Sequence, residues 1–481
     1  MAYATHPRAA RLVLLVLVAP AGCSGDDDGI DWSGVEDAGL DGQEASLSED
    51  ASLSGDASTE AGWKPDSAAP DDAAPDVSPD TSPDAAEPAP SRTRYPVARH
   101  SPMSPFVVAR LRAVLDASSG RKNVFAKLGD SITVNSNFLG CFAGSDVDWA
   151  AYGALEPSRA WFSEQLVDAS HISFNRTTLA AVVGWSAKAL LTGSPTPLDQ
   201  EFGAIQPAFA VIMFGTNDTY ETGVHPFERN LMADIDAVLA RGAVPLMSTI
   251  PPRGDSATAD ALVPEMNAVI RAIAQARQVP LMDYGTMLEP LPDYGLASDG
   301  VHPQVYSSGG VHACWFTDPA LQKGMNVRNL ITMEALDRAK RFLIDGQAAE
   351  VAPAGLAGQG TLDAPWEIPG LPFVDDADTA EGVATLAGYG CSTADEGGPE
   401  LVYRVVLDGP KKLRARVFCD AGVDVDLYWL DGKTAADCVV RHDRTLDITA
   451  SAGTYYLVAD SFVESGKALS GKYRLTLVEL E

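Results

Sequence analysis

The rhythm of apolar and polar positions changes along the 481-residue chain, and each change marks a region. Between about 101 and 346, apolar runs of strand length alternate with segments of helical period. Asn123 to Leu128, Ala208 to Phe214, Ala243 to Ile250 and Val279 to Asp283 read as buried strands, and His171 to Asn175 as a shorter, weaker one. Amphipathic helices lie between them. Leu231, Ile235, Val238 and Leu239 share one face, and Val263, Met266, Ile270 and Ile273 share another. Asn329 to Ile344, with Leu330, Met333, Leu336 and Leu343, reads as a closing helix. Near-continuous apolar strands separated by helices predict a parallel sheet covered on both faces. About five such units predict an α/β fold, a flavodoxin-like doubly wound sandwich.

Beyond residue 375 the period becomes two. Tyr403, Val405 and Leu407 alternate with Arg404, Val406 and Asp408, and Val423 to Leu430, Gly453 to Asp460 and Lys472 to Val478 continue the pattern. Short strands with turn residues between them predict a small antiparallel β-sandwich over 376–481. Asp424 and Asp426 are read as alternate exposed strand positions rather than a calcium site. Residues 347–375, rich in Ala, Gly and Pro, are read as a linker. Residues 24–100 are read as a disordered acidic linker, because Asp, Ala, Ser, Pro and Glu leave little aliphatic surface to bury.

Charge sharpens this division. Residues 24 to 91 hold nineteen Asp and Glu against Lys64, so they carry −18 of the net −31 and leave −13 for the rest. An acidic surface repels polynucleotide phosphate, so no nucleic-acid partner is expected. At the N-terminus, Arg8 and Arg11 precede a short apolar run, Leu12 to Ala19, closed by Ala21-Gly22-Cys23. This ending resembles the lipobox of bacterial lipoproteins. The resemblance implies a signal peptide over 1–23, lipidation of Cys23, and a cell-envelope or extracellular protein anchored to membrane.

The candidate chemistry lies in four short stretches of the α/β region: Gly129-Asp130-Ser131 after the first strand; Gly184-Trp185 after Ala181-Val-Val; Gly215-Thr-Asn217-Asp218 after the most apolar strand; and Asp299-Gly-Val-His302 near the end. Each is weak alone. In this order they resemble the four blocks of the SGNH (GDSL-like) hydrolase superfamily, over about 101 to 346. Thr249-Ile-Pro-Pro-Arg253 and Tyr294 to His302 are similar to extracellular bacterial members. The resemblance implies a serine hydrolase with a Ser131, His302 and Asp299 triad and an oxyanion hole formed by the backbone N–H groups of Ser131 and Gly184 and the side-chain amide of Asn217. A serine hydroxyl needs an adjacent base, imidazole titrates near neutral pH, and a carboxylate fixes its tautomer. With no histidine pair at ligand spacing, neither metal nor cofactor is expected. The C-terminal region resembles the bacterial pre-peptidase C-terminal domain in Ala452-Gly-Thr-Tyr-Tyr-Leu-Val-Ala-Asp-Ser461.

Further expectations hang on that resemblance. Cys141 and Cys314 each follow a catalytic residue by about ten positions, so the two loops are expected to be joined by a disulfide in an oxidising compartment; Cys391 with Cys438 is the favoured second pair. Phe138, Trp149, Tyr152, Trp185, Trp315 and Phe316 are expected to wall the cleft. Trp185, Arg176 and Arg253 are candidate substrate contacts, the arginines either meeting a charged or hydroxyl-rich substrate or pairing with Asp130 or Asp218. The reading is a monomeric esterase acting on short acyl esters, such as acetyl groups on a polysaccharide or cell-envelope glycan. An acyltransferase on the same site and a non-catalytic binding lipoprotein are the alternatives.

Overall fold

The computed structural model describes residues 92–480. The expected signal peptide, the lipidation of Cys23 and the acidic segment up to residue 91 lie outside the described residues.

The α/β region opens with helix α1 (Pro105–Asp116). Ser104 caps it by accepting from the Val107 N–H, and Pro105 occupies the first turn, where a missing N–H is tolerated. Strand β1 (Arg121–Gly129) runs into a one-turn helix α2 (Ser131–Val134). Then come α3 (Glu156–Ser163), α4 (Pro197–Ile205), β2 (Pro207–Met213), α5 (Val224–Ala240), β3 (Val244–Ser248), α6 (Val263–Arg277), β4 (Leu281–Met282) and α7 (Gly324–Ala339). The strands form one parallel sheet in the order β1-β2-β3-β4. Every residue of β2 and β3 is buried, as the unbroken apolar runs require of a sheet covered on both faces.

The weak strand expected at His171–Asn175 does not form. The chain turns there instead: the Arg176 N–H bonds to Ile172 O, and the Asn175 side chain accepts from the Ile172 N–H. The outer edge of β1 is met only by Ser173 Oγ, which accepts from the Phe125 N–H, and by Ala180 O, which accepts from the Gly129 N–H. A polar side chain able to bond its own backbone competes with the ladder, and here it wins.

Two expected boundaries also move. Residues 92–100 belong to the folded body: the side-chain oxygens of Gln278 and Gln275 accept from the Thr93 and Tyr95 N–H groups at 2.7 and 2.8 Å, and Arg99 pairs with Glu334 at 2.6 Å. This order comes from side chains of neighbouring helices, so it leaves no periodicity. The linker is likewise shorter than 347–375. Trp366–Glu367 pairs in parallel with residues 403–404, and Phe373 lies in the core of the next region.

That region is a sandwich of β5 (Phe373–Asp378), β6 (Glu400–Leu407), β7 (Lys411–Cys419), β8 (Val425–Leu430), β9 (Cys438–His442), β10 (Thr445–Ala450), β11 (Gly453–Ser461) and β12 (Lys472–Leu480). One sheet runs β10-β7-β12-β5 and the other β9-β8-β11-β6, with antiparallel neighbours throughout these orders. Asp424 and Asp426 are buried, not exposed. The outer face of β8 is covered, with Tyr389 stacked on Tyr428 at 3.8 Å, and Arg441 pairs with Asp426.

The sandwich packs on α6, where Ala268 and Ala272 meet Val374 and Val478. Buried ion pairs flank that contact. Glu265 receives Arg414 Nη1 at 2.9 Å and Arg416 Nε, and Arg474 pairs with Glu228 at 2.7 Å. Among the described residues no helix is long and apolar enough to cross a membrane.

Candidate active site

The sheet leads its strands towards one edge, and the motif residues gather there. At the end of β1, Asp130 takes an extended conformation and caps α2, its Oδ1 accepting from the Ile132 N–H at 2.9 Å. Ser131 is therefore the first residue of a helix turn, where backbone N–H groups lack intrahelical partners and face outward. Burial pushes the Asp130 carboxyl up, and the Arg328 guanidinium opposes the shift. Arg328 itself is buried. It donates to Ile132 O at 2.6 Å and Thr133 Oγ1 at 2.9 Å, and it lies over the Phe138 ring at 3.6 Å. One residue of α7 thus fixes the underside of the turn that carries Ser131.

Asp299, Gly300, Val301 and His302 form a compact loop opposite. His302 Nε2 lies 2.9 Å from Ser131 Oγ, and Nδ1 lies 2.7 Å from Asp299 Oδ2. Asp299 Oδ1 accepts from the Val301 and His302 N–H groups, both at 3.0 Å. Burial pushes the Asp299 carboxyl up, but these two N–H groups and the His302 ring together outweigh it and hold the pKa at about 2. The acid is therefore an anion at any ordinary pH and orients the ring through Nδ1. Gly300 has φ 71°, and a Cβ there would lie 2.7 Å from Asp255 N. Only glycine lets this loop seat against Gly254, whose N–H bonds to Gly300 O at 2.7 Å.

The third side of the site is the loop from Gly184 to Ala187. Gly184 has φ 85°, with open space where a side chain would begin. Asn217 Nδ2 donates to Trp185 O at 2.8 Å, and the Asp218 carboxylate accepts from the Ala187 N–H at 3.2 Å. Burial raises the Asp218 pKa to about 6, against the Ala187 N–H and the Thr222 hydroxyl.

Ser131, His302 and Asp299 are thus joined by hydrogen bonds, and Asn217 is joined to the Gly184 loop through Trp185 O. Of the three candidate substrate contacts, Arg253 is not placed for that task and Arg176 is already paired with an acid. Arg253 is buried: it donates to Thr216 O, bonds both carboxylate oxygens of Asp255 at 2.9 Å and stacks on Tyr220. Arg176 is engaged by Glu201 at 2.6 and 2.7 Å. Neither pairs with Asp130 or Asp218. Trp185 is partly exposed beside Asn217. The expected aromatic wall is largely core. Phe142, Trp149, Tyr152 and Phe316 pack on one another, Phe138 lies beneath Arg328, and Trp315 stacks on His312. Apolar rings reach a lower free energy by packing together than by facing water. Cys141 and Cys314 are joined by a disulfide, as are Cys391 and Cys438. Among the described residues no group of three or more His, Cys, Asp or Glu is arranged to hold a metal ion.

Arg328 beneath the Ser131 turn, and Lys127, which donates to Phe174 O at 2.9 Å, are not among the residues singled out from sequence. A lysine inside the apolar run of β1 and an arginine on the buried face of α7 were the available signals.

Residues 128–305 match the model of the GDSL-like Lipase/Acylhydrolase family. This stretch is therefore similar to that family, and it occupies less than half of the chain. No curated protein matches the sequence. Among solved structures, the chain is similar to a GDSL-like lipase from Bacteroides thetaiotaomicron, at 16% identity and a TM-score of 0.28, over 48% of this chain and 98% of that one. It is also similar to Axe2, an acetylxylan esterase from Geobacillus stearothermophilus, at 16% identity and TM-score 0.30, over 46% and 94%. A third is LAE5, an α/β hydrolase from the metagenome of Lake Arreo, Spain, at 17% identity and TM-score 0.30, over 46% and 96%.

Proposed function

We propose that the chain is a serine esterase that hydrolyses short acyl esters, acetyl groups on carbohydrate among them. The observation that carries this reading is the unbroken hydrogen-bond chain Ser131–His302–Asp299 at the edge of the sheet. His302 Nε2 takes the Ser131 proton as Oγ attacks the acyl carbon, and Asp299 stabilises the imidazolium that forms. The tetrahedral oxyanion is met by the N–H groups of Ser131 and Gly184 and by the Asn217 amide, whose second hydrogen is not taken by Trp185 O. His302 then protonates the departing alcohol. A water molecule, deprotonated by the same nitrogen, attacks the acyl-enzyme and releases the acid.

Two features support hydrolysis of short esters over transfer of a long chain. The aromatic side chains near the site are consumed in the core, so no long apolar trough is assembled from them. The side chains of His302 and Asp299 are 37% and 51% exposed, so water reaches the acyl-enzyme freely. In this reading the protein is held at the cell envelope through Cys23, with the acidic segment as a spacer. The sandwich, resembling a pre-peptidase C-terminal domain, is a rigidly docked accessory.

The test is p-nitrophenyl acetate turnover by the wild-type protein beside Ser131→Ala. A rate for wild type well above that of the variant is expected; equal rates refute the esterase reading.

A further inference from the structure

The outer edge of β1, left open where the expected strand at 171–175 does not form, borders a cavity of about 320 Å³. Its walls come from two segments. One is Thr133 to Ser136 with Phe138 and Gly140, leaving the turn that carries Ser131; the other is Phe174 to Thr178 with Ala181. Thr133 follows Ser131 by two residues on one helical turn, so their Cα atoms lie roughly 5 Å apart. The cavity therefore borders the segment that leaves the turn carrying Ser131, though Ser131 itself does not line it, and its volume falls in the range of small-ligand sites.

Its lining is unusual for this chain. Lys127 and Arg176 contribute positive charge and no acid lines the wall, in a protein whose net charge is −31. The two cations are not equivalent. Arg176 is neutralised by Glu201. Lys127 is more than nine-tenths buried, and among the described residues its ammonium donates one hydrogen bond, to Phe174 O at 2.9 Å. An ammonium has three donors. The other polar lining groups are hydroxyls and amides, Thr133, Asn135, Ser136, Asn175, Thr177 and Thr178, set among apolar residues such as Val134, Phe138 and Phe174. A buried cation with donors to spare, ringed by neutral polar groups, suits an anion that also carries hydroxyls.

We propose that this cavity is a subsite for a carboxylate-bearing sugar, with the Lys127 ammonium pairing the carboxylate and the surrounding hydroxyls and amides meeting the ring oxygens. The preferred ester is then an acylated uronate rather than an acylated neutral sugar. This deepens the esterase reading and rests on it for the word substrate; the binding claim stands by itself. Burial lowers the Lys127 pKa to about 8, with the Glu201 carboxylate opposing the shift and the Arg176 and Arg328 guanidinium groups adding to it, so the ammonium is charged at neutral pH and loses its proton a little above it.

The experiment measures binding without turnover, by calorimetry on the full chain carrying Ser131→Ala, with trigalacturonate and galactotriose as probes. Trigalacturonate is expected to bind about tenfold or more tightly than galactotriose at pH 7. Lys127→Met, added to Ser131→Ala, is expected to remove that preference. Above pH 8 trigalacturonate affinity is expected to fall towards that of galactotriose, while the probe's carboxylates stay ionised. Lys127→Arg, whose charge does not titrate in this range, keeps the preference and loses the pH dependence. Because the pH arm needs no substitution at 127, it decides the matter even where Lys127→Met fails to fold. Equal affinity for the two sugars, a preference that survives Lys127→Met, or a preference constant from pH 7 to 10 in the lysine protein overturns the proposal. Should trigalacturonate behave as expected while wild type and Ser131→Ala turn over p-nitrophenyl acetate equally, the esterase reading falls and the anion subsite stands.

Discussion

Two carboxylates in this molecule sit against cationic or potentially cationic side chains, and their settings differ. Asp299, at the proposed active edge, has a half-exposed side chain and is held by two backbone N–H groups and an imidazole. Glu265, under the sandwich, is 2% exposed and lies between the guanidinium groups of Arg414 and Arg416. At the first place charge stays near water, so protons can move and little folding energy depends on the contact. At the second, charge has been removed from water, and losing one partner leaves the others' buried charge uncompensated. Proton transfer and cohesion thus call on carboxylates in different settings.

The sharpest way to break this division is to change one residue on each side. Ser131→Ala is expected to lower kcat/KM for p-nitrophenyl acetate by about 10⁴–10⁶, as loss of a nucleophile does in a triad, with the urea midpoint unmoved. Glu265→Ala should do the reverse. It leaves the Arg416 guanidinium without its anion and Arg414 with Asp447 alone, and is expected to cost about 3 kcal/mol in urea unfolding, with kcat unchanged in the protein that remains folded. A large kcat loss in Glu265→Ala would show that the interface and the site are coupled.

A smaller effect is expected at the oxyanion loop. Asn217→Ala removes the proposed side-chain donor and is expected to lower kcat by about 10²–10³, the cost of one oxyanion contact, with a lesser change in KM. A loss confined to KM would assign Asn217 to substrate binding instead.

Smallest is a pH effect at its neighbour. The Asp218 carboxyl has its pKa raised by burial from 3.8 to about 6. The folded state therefore binds this proton more tightly than the unfolded state, and the residue's contribution to stability rises as pH falls from about 6 to 3.8. At about 1.4 kcal/mol for each pH unit, the change across that window is about 3 kcal/mol at most. Asp218→Asn retains an oxygen for the Ala187 N–H and does not titrate. The stability difference, wild type minus variant, is therefore expected to be more favourable to wild type at pH 4 than at pH 7. A pH-independent difference by urea unfolding would place the titration elsewhere.

The same division governs what could be read from the sequence. The buried parallel strands announced themselves because both faces are apolar, and Ala208 to Phe214 is the clearest case. The motif residues could be picked out because each follows a strand end or sits in a short polar loop. What could not be read was whatever depends on partners far along the chain. The failure of a strand at 171–175 turns on the Asn175 side chain reaching its own backbone. The order of residues 92–100 rests on Gln275 and Gln278 about 180 positions away. Arg176 and Arg253 carried the right charge at the right strand ends, yet Glu201 and Asp255 claim them. Lys127 was legible only as an interruption in an apolar run.

The central claim is that Ser131 is a nucleophile activated by His302, and active-site labelling addresses it most directly. The wild-type protein would be treated with a fluorophosphonate, and the adduct located by intact mass and peptide mapping. One adduct on Ser131 is expected, formed far more slowly in His302→Ala and absent in Ser131→Ala. No adduct in the folded wild-type protein, or an adduct on another residue, contradicts it.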